Sequence, residues 1–301
     1  ARKLINALAG LITAGAPEIS DMHARSLRDG LRSVQLAFRD AACGDYRLFV
    51  AWPREEPPAA GWPVLYHLDG NADFGTVVDS ARAQSARAFR TGVMPGLVVG
   101  IGYPTEAPID MPRRCLDYTP DVPDALRGDR PNGQPWPETG GAAHFHACLA
   151  ERIMPAIAAR FPVDPSRQSL FGHSLGGLFA LYSLMTAPGL FASYSASSPS
   201  LWWGERHLFG LIDAMPPAPR PLRVALTAGG LEQPDSGDDA HSLWLRRNRV
   251  IGNARDVCAR LAEVPGIDAR FTLFEGEDHG SVVPSAVSRA IRLAFTETLP
   301  S

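Results

Sequence analysis

Residues 172–176 read GHSLG, which matches the spacing G-x-S-x-G with Ser174 at its centre. A strand-like run precedes this segment, and an almost wholly apolar, helix-like run follows it. On a sharp turn from strand to helix, flanking glycines let the backbone approach closely and the first helical amides point at the reacting oxygen. The pattern therefore predicts a nucleophile at Ser174. An ordinary glycine-rich turn is the alternative.

A serine hydroxyl needs a base at neutral pH, and in this type of site an acid and then a histidine follow the serine along the chain. Of the eight histidines, His279 is the one that lies after the last strand-like run and just before the final helical pattern. The sequence therefore predicts that His279 is the general base, with a solvated loop histidine as the alternative.

The acid should follow the preceding strand-like run, residues 222–228. Glu232 is there and is our prediction for the carboxylate that orients the imidazole and stabilises its cation. Asp235 is the nearest alternative, and Glu277 or Asp278 could also approach the ring. A serine–histidine dyad without an acid stays open.

Two backbone amides are needed to hold the developing oxyanion. One prediction is the N–H of Leu175, the residue after the nucleophile. The second donor is predicted at Gly70 or Asn71, in the glycine-containing turn after the strand-like run 64–68.

These residues are distributed over a chain in which short β-rich runs alternate with helical patterns. The first two runs predict an antiparallel hairpin, and later runs are continuously apolar, as in strands covered on both faces. Predicted strands cover residues 33–39, 46–52, 64–68, 96–102, 169–172, 191–196, 222–228 and 269–274, and predicted helices cover 142–160, 175–187, 241–263 and 281–299. The fold class is therefore α/β, with a mostly parallel sheet of about eight strands and helices on both faces, in one domain.

Residues 104–141 interrupt this alternation, because they are rich in proline and charge and lack clear periodicity. A loop of that length in a compact domain is usually functional or mobile. It follows the strand-like run 96–102, at the sheet edge where open α/β sheets bind ligands. We therefore predict a lid or substrate-binding insertion.

The composition limits the kinds of molecule that the chain is expected to bind. The 301 residues are 45% hydrophobic and 20% charged, with a net charge of -3, so there is no global basic field for nucleic acid. No apolar run approaches the roughly 20 residues that span a bilayer.

Residues 1–16 are basic, then apolar and small, which fits a secretory signal remnant or a short amphipathic helix. A cytoplasmic and a periplasmic location both stay open, as does the oligomeric state.

Four cysteines are present, namely Cys43, Cys115, Cys148 and Cys258. None forms a C-x-x-C pair, so a zinc or redox motif has no support. Buried free thiols are the first expectation, with one or two disulfides as the alternative in an exported protein.

The assembled segments resemble the putative-esterase family of α/β-hydrolases, which includes esterase D-type enzymes, mycolyltransferases and enterochelin esterases. Within it, the chain looks most like the siderophore trilactone hydrolases, the enterobactin and salmochelin esterases. The matching segments are VLYHLDGNADF at 64–74, GIGYP at 100–104, RRCLDYTP at 113–120, GGAAHFHACLAERIMP at 140–155, LFGHSLGGLFALYSL at 170–184, SPSLWW at 198–203 and EGEDHGS at 275–281.

The resemblance implies an α/β-hydrolase fold and hydrolysis of carboxylic esters, with no metal or organic cofactor in catalysis. It suggests that Arg113 and Arg114 hold the anionic catecholates of a ferric siderophore, since guanidinium groups bind anions in a forked geometry. A structural ion pair of either arginine with Asp110 or Asp117 is the alternative.

Three further residues are candidates for substrate binding. Trp202 and Trp203 could form an aromatic wall, although such a pair is more often one core and one exposed residue. Arg130 is a looser candidate for the anion site. Alternative functions are a short-acyl carboxylesterase, an S-formylglutathione hydrolase-like thioesterase, an acyltransferase and a non-catalytic binding protein.

Overall fold

The computed structural model describes residues 32–130 and 132–296. The predicted N-terminal extension or signal remnant lies outside them, so the one-domain interpretation of the whole chain stays a prediction. The strands of the described part are β1 (Ser33–Asp40), β2 (Gly44–Ala51), β3 (Trp62–His67), β4 (Leu97–Gly102), β5 (Val163–His173), β6 (Ser193–Ser197), β7 (Leu222–Gly229) and β8 (Ile267–Phe274).

These strands form one sheet in the order β1-β2-β4-β3-β5-β6-β7-β8. The β2 strand is antiparallel to both of its neighbours, and every other neighbouring pair is parallel. The predicted hairpin and the mostly parallel eight-stranded sheet are therefore confirmed.

Helices cover both faces of the sheet, as predicted. They are α1 (Gly70–Ser85), α2 (Ala88–Thr91), α3 (Met111–Tyr118), α4 (Ala142–Cys148), α5 (Met154–Ala158), α6 (Leu175–Thr186), α7 (Trp203–Asp213), α8 (Ala240–Asn248), α9 (Val250–Ala262) and α10 (Val283–Phe295). Val64 and Tyr66 of β3 pack into the core beneath α4, α6 and α9, whereas Leu65 packs into the core beneath α1 and α10. This alternation explains why the strand reads as continuously apolar.

Two predicted helices are interrupted. The predicted helix 241–263 is split into α8 and α9 by Arg249, which adopts a left-handed conformation with a φ of 46°. The predicted helix 142–160 contains a π turn, Leu149–Ile153, just before Pro155. Proline lacks an amide donor, which favours such a local change in the hydrogen-bond pattern.

The sequence analysis missed α1 and α7. Few side chains of α1 are buried, chiefly Val77, Val78 and Ala81, so its apolar stripe is narrow. Within α7, residues 204–206 adopt left-handed angles that no periodicity reveals.

Part of the insertion 104–141 has regular secondary structure. Its helix α3 begins at the cap Asp110, whose carboxylate accepts the Arg113 amide at 3.1 Å. An isolated β-bridge between Pro120 and Gly141 then brings the two ends of the remaining segment together. No helix in the described ranges is long and apolar enough to cross a membrane.

Two of the four cysteines form a disulfide, and the other two are free thiols. Cys43, beside the β1–β2 turn, forms a disulfide with Cys148 at the end of α4. Cys115 and Cys258 are buried free thiols. The first expectation was therefore wrong for Cys43 and Cys148, because only the fold brings residues 105 positions apart together.

Candidate active site

Ser174 lies on a strained turn between β5 and α6, with φ 60° and ψ −118°. Its amide donates to the Ser197 carbonyl at 2.9 Å, which ties the turn to β6. A Cβ on Gly172 would lie 2.1 Å from the Gly176 carbonyl oxygen, so the turn requires glycine at that position. The structure thus contains the strand–turn–helix setting that the G-x-S-x-G pattern predicts.

Glu232 and His279 form a short, direct contact. The imidazole Nδ1 lies 2.6 Å from Glu232 Oε2. The other carboxylate oxygen, Oε1, accepts the Gly229 amide at 2.7 Å and the Ser198 hydroxyl at 2.5 Å. Glu232 is only 1% exposed, so these donors replace the water that a buried carboxylate loses.

The alternative acids are placed differently. Asp278 Oδ1 accepts the amides of Gly280 and Ser281, each at 2.8 Å, and therefore holds its own loop. These backbone hydrogen bonds, that of Ser281 first, lower the pKa of the Asp278 carboxyl. Among the described residues, no hydrogen bond joins Asp235 or the Glu277 carboxylate to the imidazole.

Ser174 and His279 line the same cavity. The Ser174 hydroxyl lies 3.5 Å from Ser200 Oγ, its one hydrogen-bond partner in the part of the chain that the structure describes. Among the described residues, no hydrogen bond joins Ser174 to His279, so the hydroxyl must approach the imidazole before its proton can be transferred. Hydrogen bonds between a nucleophile and its base often form fully only when substrate binds.

His173 packs against the proposed base, with 4.5 Å between the two ring centroids. Burial, and then the neighbouring His279, hold the pKa of His173 well below its usual range. The ring is therefore neutral and supports His279 without adding charge.

The two predicted oxyanion donors differ in position. Leu175 is the first residue of α6 and lines the cavity. Gly70 and Asn71 begin α1 and are not among the lining residues. The Asn71 side chain instead holds the loop after β4, because its Oδ1 accepts the Tyr103 amide at 2.7 Å. The second donor stays a prediction.

The cavity has a volume of about 440 Å³. The exposed surface of its lining is mainly apolar, although ten of the eighteen lining residues are polar or charged. The lining residues in the described part are Met111, Arg114, Arg130, Asn132, Trp136, Ser174, Leu175, Ser198, Ser200, Trp202, Leu231, Glu232, His241, Trp244, Leu245, Val250, Asp278 and His279.

The predicted anion-binding arginines have separate environments. Arg114 lines the cavity but is buried in a forked ion pair with Asp69, with Nε–Oδ1 at 3.1 Å and Nη2–Oδ2 at 2.9 Å. Arg113 lies outside the lining, 3.6 Å from the Asp117 carboxylate. The anticipated ion pair with Asp117 is therefore present for Arg113, whereas the partner of Arg114 was not foreseen.

Arg130 has the more available charge. Its guanidinium stacks 5.5 Å from the Trp136 ring centroid and donates to the Pro135 carbonyl at 2.9 Å. No carboxylate pairs with it among the described residues.

The two predicted tryptophans also have different surroundings. Trp202 lines the cavity, whereas Trp203 is fully buried and its indole donates to the Pro120 carbonyl at 3.1 Å. The sequence analysis missed Trp136 and Trp244, whose rings lie 6.1 Å and 5.4 Å from that of Trp202. No local pattern marks them, because they come from distant segments.

Ser198 and Ser200 were also missed as site residues. They belong to the SPSLWW segment that carried the resemblance, so that segment was the available signal. In the described ranges, no cluster of histidine, cysteine or carboxylate side chains is arranged to hold a metal ion.

A serine at a strand-to-helix turn, with an imidazole–carboxylate pair in the same cavity on an eight-stranded mixed sheet, defines a serine hydrolase of the α/β-hydrolase class. The chain belongs to the family described as putative esterase, whose model matches residues 41–268.

Similar proteins include the ferri-bacillibactin esterase BesA of Bacillus subtilis (strain 168), 40% identical over 83% of this chain and 84% of that protein. The siderophore triacetylfusarinine C esterase of Aspergillus fumigatus is 34% identical over 84% of this chain and 89% of that protein. The crystal structure of the BES protein from Bacillus cereus superposes with a TM-score of 0.76 at 35% identity, covering 88% of this chain and 96% of that chain.

Proposed function

We propose that this protein hydrolyses the ester backbone of a siderophore, with Ser174 as nucleophile, His279 as base and Glu232 as the acid that orients it. The observation that carries the proposal is the 2.6 Å contact between His279 and the buried Glu232, in the cavity that contains Ser174.

The chemistry follows from these positions. His279 removes the hydroxyl proton as Ser174 Oγ attacks the ester carbonyl, and Glu232 stabilises the resulting imidazolium. The oxyanion is held by the Leu175 amide and by a second amide at Gly70 or Asn71. His279 then protonates the departing alkoxide, and an activated water releases the acid from the acyl-enzyme.

The substrate class rests on the cavity lining together with the similar proteins. Both of the named relatives are siderophore esterases. Trp202 offers an aromatic face, and Arg130 and Arg114 offer guanidinium groups for an anionic ring. We propose the trilactone of a catecholate siderophore, with Arg130 as the stronger anion contact because Asp69 already pairs with Arg114.

The test compares kcat/KM for the ferric trilactone, the iron-free trilactone and p-nitrophenyl butyrate. We expect the trilactones to exceed the simple ester by orders of magnitude. Ser174→Ala should lower hydrolysis by roughly four to six orders of magnitude while retaining siderophore affinity. Unchanged hydrolysis in Ser174→Ala would refute the nucleophile, and a preference for p-nitrophenyl butyrate would identify a short-acyl carboxylesterase instead.

A further inference from the structure

Ser198 lies immediately after β6 with its hydroxyl directed at the carboxylate that faces His279. The residue is 1% exposed and adopts a left-handed conformation with a φ of 43°. Its Oγ donates to Glu232 Oε1 at 2.5 Å, and its amide donates to the Thr227 carbonyl of β7 at 2.7 Å. The serine is therefore fixed at both its backbone and its side chain.

The two oxygens of the Glu232 carboxylate have different hydrogen-bond partners. Oε1 accepts the Ser198 hydroxyl and the Gly229 amide, whereas Oε2 contacts His279 Nδ1. Rotation of the carboxylate would break both contacts at Oε1. Donors to one oxygen thus hold the other toward the imidazole and stabilise the ionised form in a buried place.

We propose that Ser198 is a positioning residue, which sets the orientation and proton affinity of the Glu232–His279 pair through its hydroxyl. The inference rests on the proposed function, because it concerns the base of that reaction. Ser198 acts through Glu232 and requires no contact with the reacting ester.

Loss of the Ser198 hydroxyl leaves more negative charge on the oxygens of Glu232. The pair then binds its shared proton more tightly, so His279 becomes a free base only at higher pH. The acid limb of the pH profile, which is the rise of kcat/KM as the base loses its proton, should therefore move to higher pH. A role limited to packing would lower stability or rate without moving that limb.

Other ionisable groups near the Glu232–His279 pair could also change the pH dependence of kcat/KM. Burial keeps His173 neutral, because its pKa is well below the usual range, and Asp278 stays ionised, because its pKa is lowered by backbone hydrogen bonds. His241 lines the same cavity and is exposed, so the experiment also replaces this side chain. Among the described residues, His173 packs on the His279 ring, Asp278, Arg114 and His241 line the same cavity, and Glu275 lies beside Gly230.

The experiment measures kcat/KM against pH for the trilactone in Ser198→Ala and Ser198→Gly, in the native chain and in a His241→Gln background. Both variants should move the acid limb upward by about one pH unit. They should also lower the alkaline plateau by about tenfold, because the imidazole is less well oriented. Glycine tolerates the left-handed backbone, so an equal shift in both variants assigns the effect to the hydroxyl.

Ser195→Ala is the matched control. Ser195 lies on β6 itself, is 2% exposed, and its hydroxyl has no partner among the described residues. Its removal should leave the limb unchanged. An unmoved limb in both Ser198 variants, or an equal shift in Ser195→Ala, would overturn the inference. The proposed function fails separately, by unchanged hydrolysis in Ser174→Ala.

Discussion

At the scale of single residues, three of the six non-glycine residues with a positive φ in the described ranges lie at the carboxyl edge of the sheet. Asp69, Ser174 and Ser198 follow β3, β5 and β6 and have φ angles of 55°, 60° and 43°. Such conformations cost energy in residues other than glycine and occur mostly at functional sites. Here they direct an ion pair, a nucleophile and a hydroxyl donor toward one small region.

The buried Asp69–Arg114 ion pair should be important for stability. Arg114→Met leaves the Asp69 carboxylate buried without its partner, so the free energy of unfolding should fall by about 3–5 kcal/mol. Arg47→Met is the control, because its partner Glu106 is 92% exposed, and it should lose less than about 1 kcal/mol. Urea denaturation of both variants measures the difference, and equal losses would contradict the argument.

At the scale of elements, the insertion and the helices beside it are attached to the sheet by a few specific contacts. The disulfide Cys43–Cys148 joins the β1–β2 turn to the end of α4. The Tyr46 hydroxyl of β2 also donates to Asp117 of α3 at 2.9 Å. Both contacts fix the hairpin against the helical layer that carries the insertion.

Removal of the disulfide should destabilise the protein. Cys43→Ser should lower the free energy of unfolding by about 2–4 kcal/mol, because the unfolded chain gains freedom. A reducing agent should lower the Tm of the native chain and leave that of Cys43→Ser unchanged. Cys258→Ser, which removes a buried free thiol, should remain sensitive to the reducing agent. A native Tm that resists full reduction of the disulfide would contradict this prediction.

At the scale of the whole molecule, the cavity is assembled from segments that are far apart in the chain. Trp136 comes from the insertion, Trp202 from the segment after β6, and Trp244 from α8. The Trp244 indole donates to the Asp129 carbonyl at 3.1 Å, which joins α8 to the insertion. The aromatic surface therefore exists only in the folded chain.

Selectivity should depend on this surface. Trp244→Ala should reduce the kcat/KM ratio of the trilactone over p-nitrophenyl butyrate by about 3- to 10-fold, the value of one lost aromatic contact. Trp52→Ala is the control, because Trp52 packs on Phe161 outside the cavity and should affect stability without changing the ratio. An identical ratio in Trp244→Ala and the native chain would exclude the aromatic wall from substrate recognition.

The amino-acid sequence by itself determined the class of fold, the strand-to-helix turn at Ser174 and the chain order that selected Glu232 and His279. The fold class and the turn follow from local patterns, because periodicity and glycine placement act over neighbouring residues. The choice of Glu232 and His279 followed instead from the order of serine, acid and histidine along the chain. Only the tertiary structure decided that Arg114 pairs with Asp69, that Cys43 meets Cys148 and that Trp244 joins the cavity. Such contacts depend on how layers pack, and the packing of layers places distant residues together without leaving a pattern in either segment.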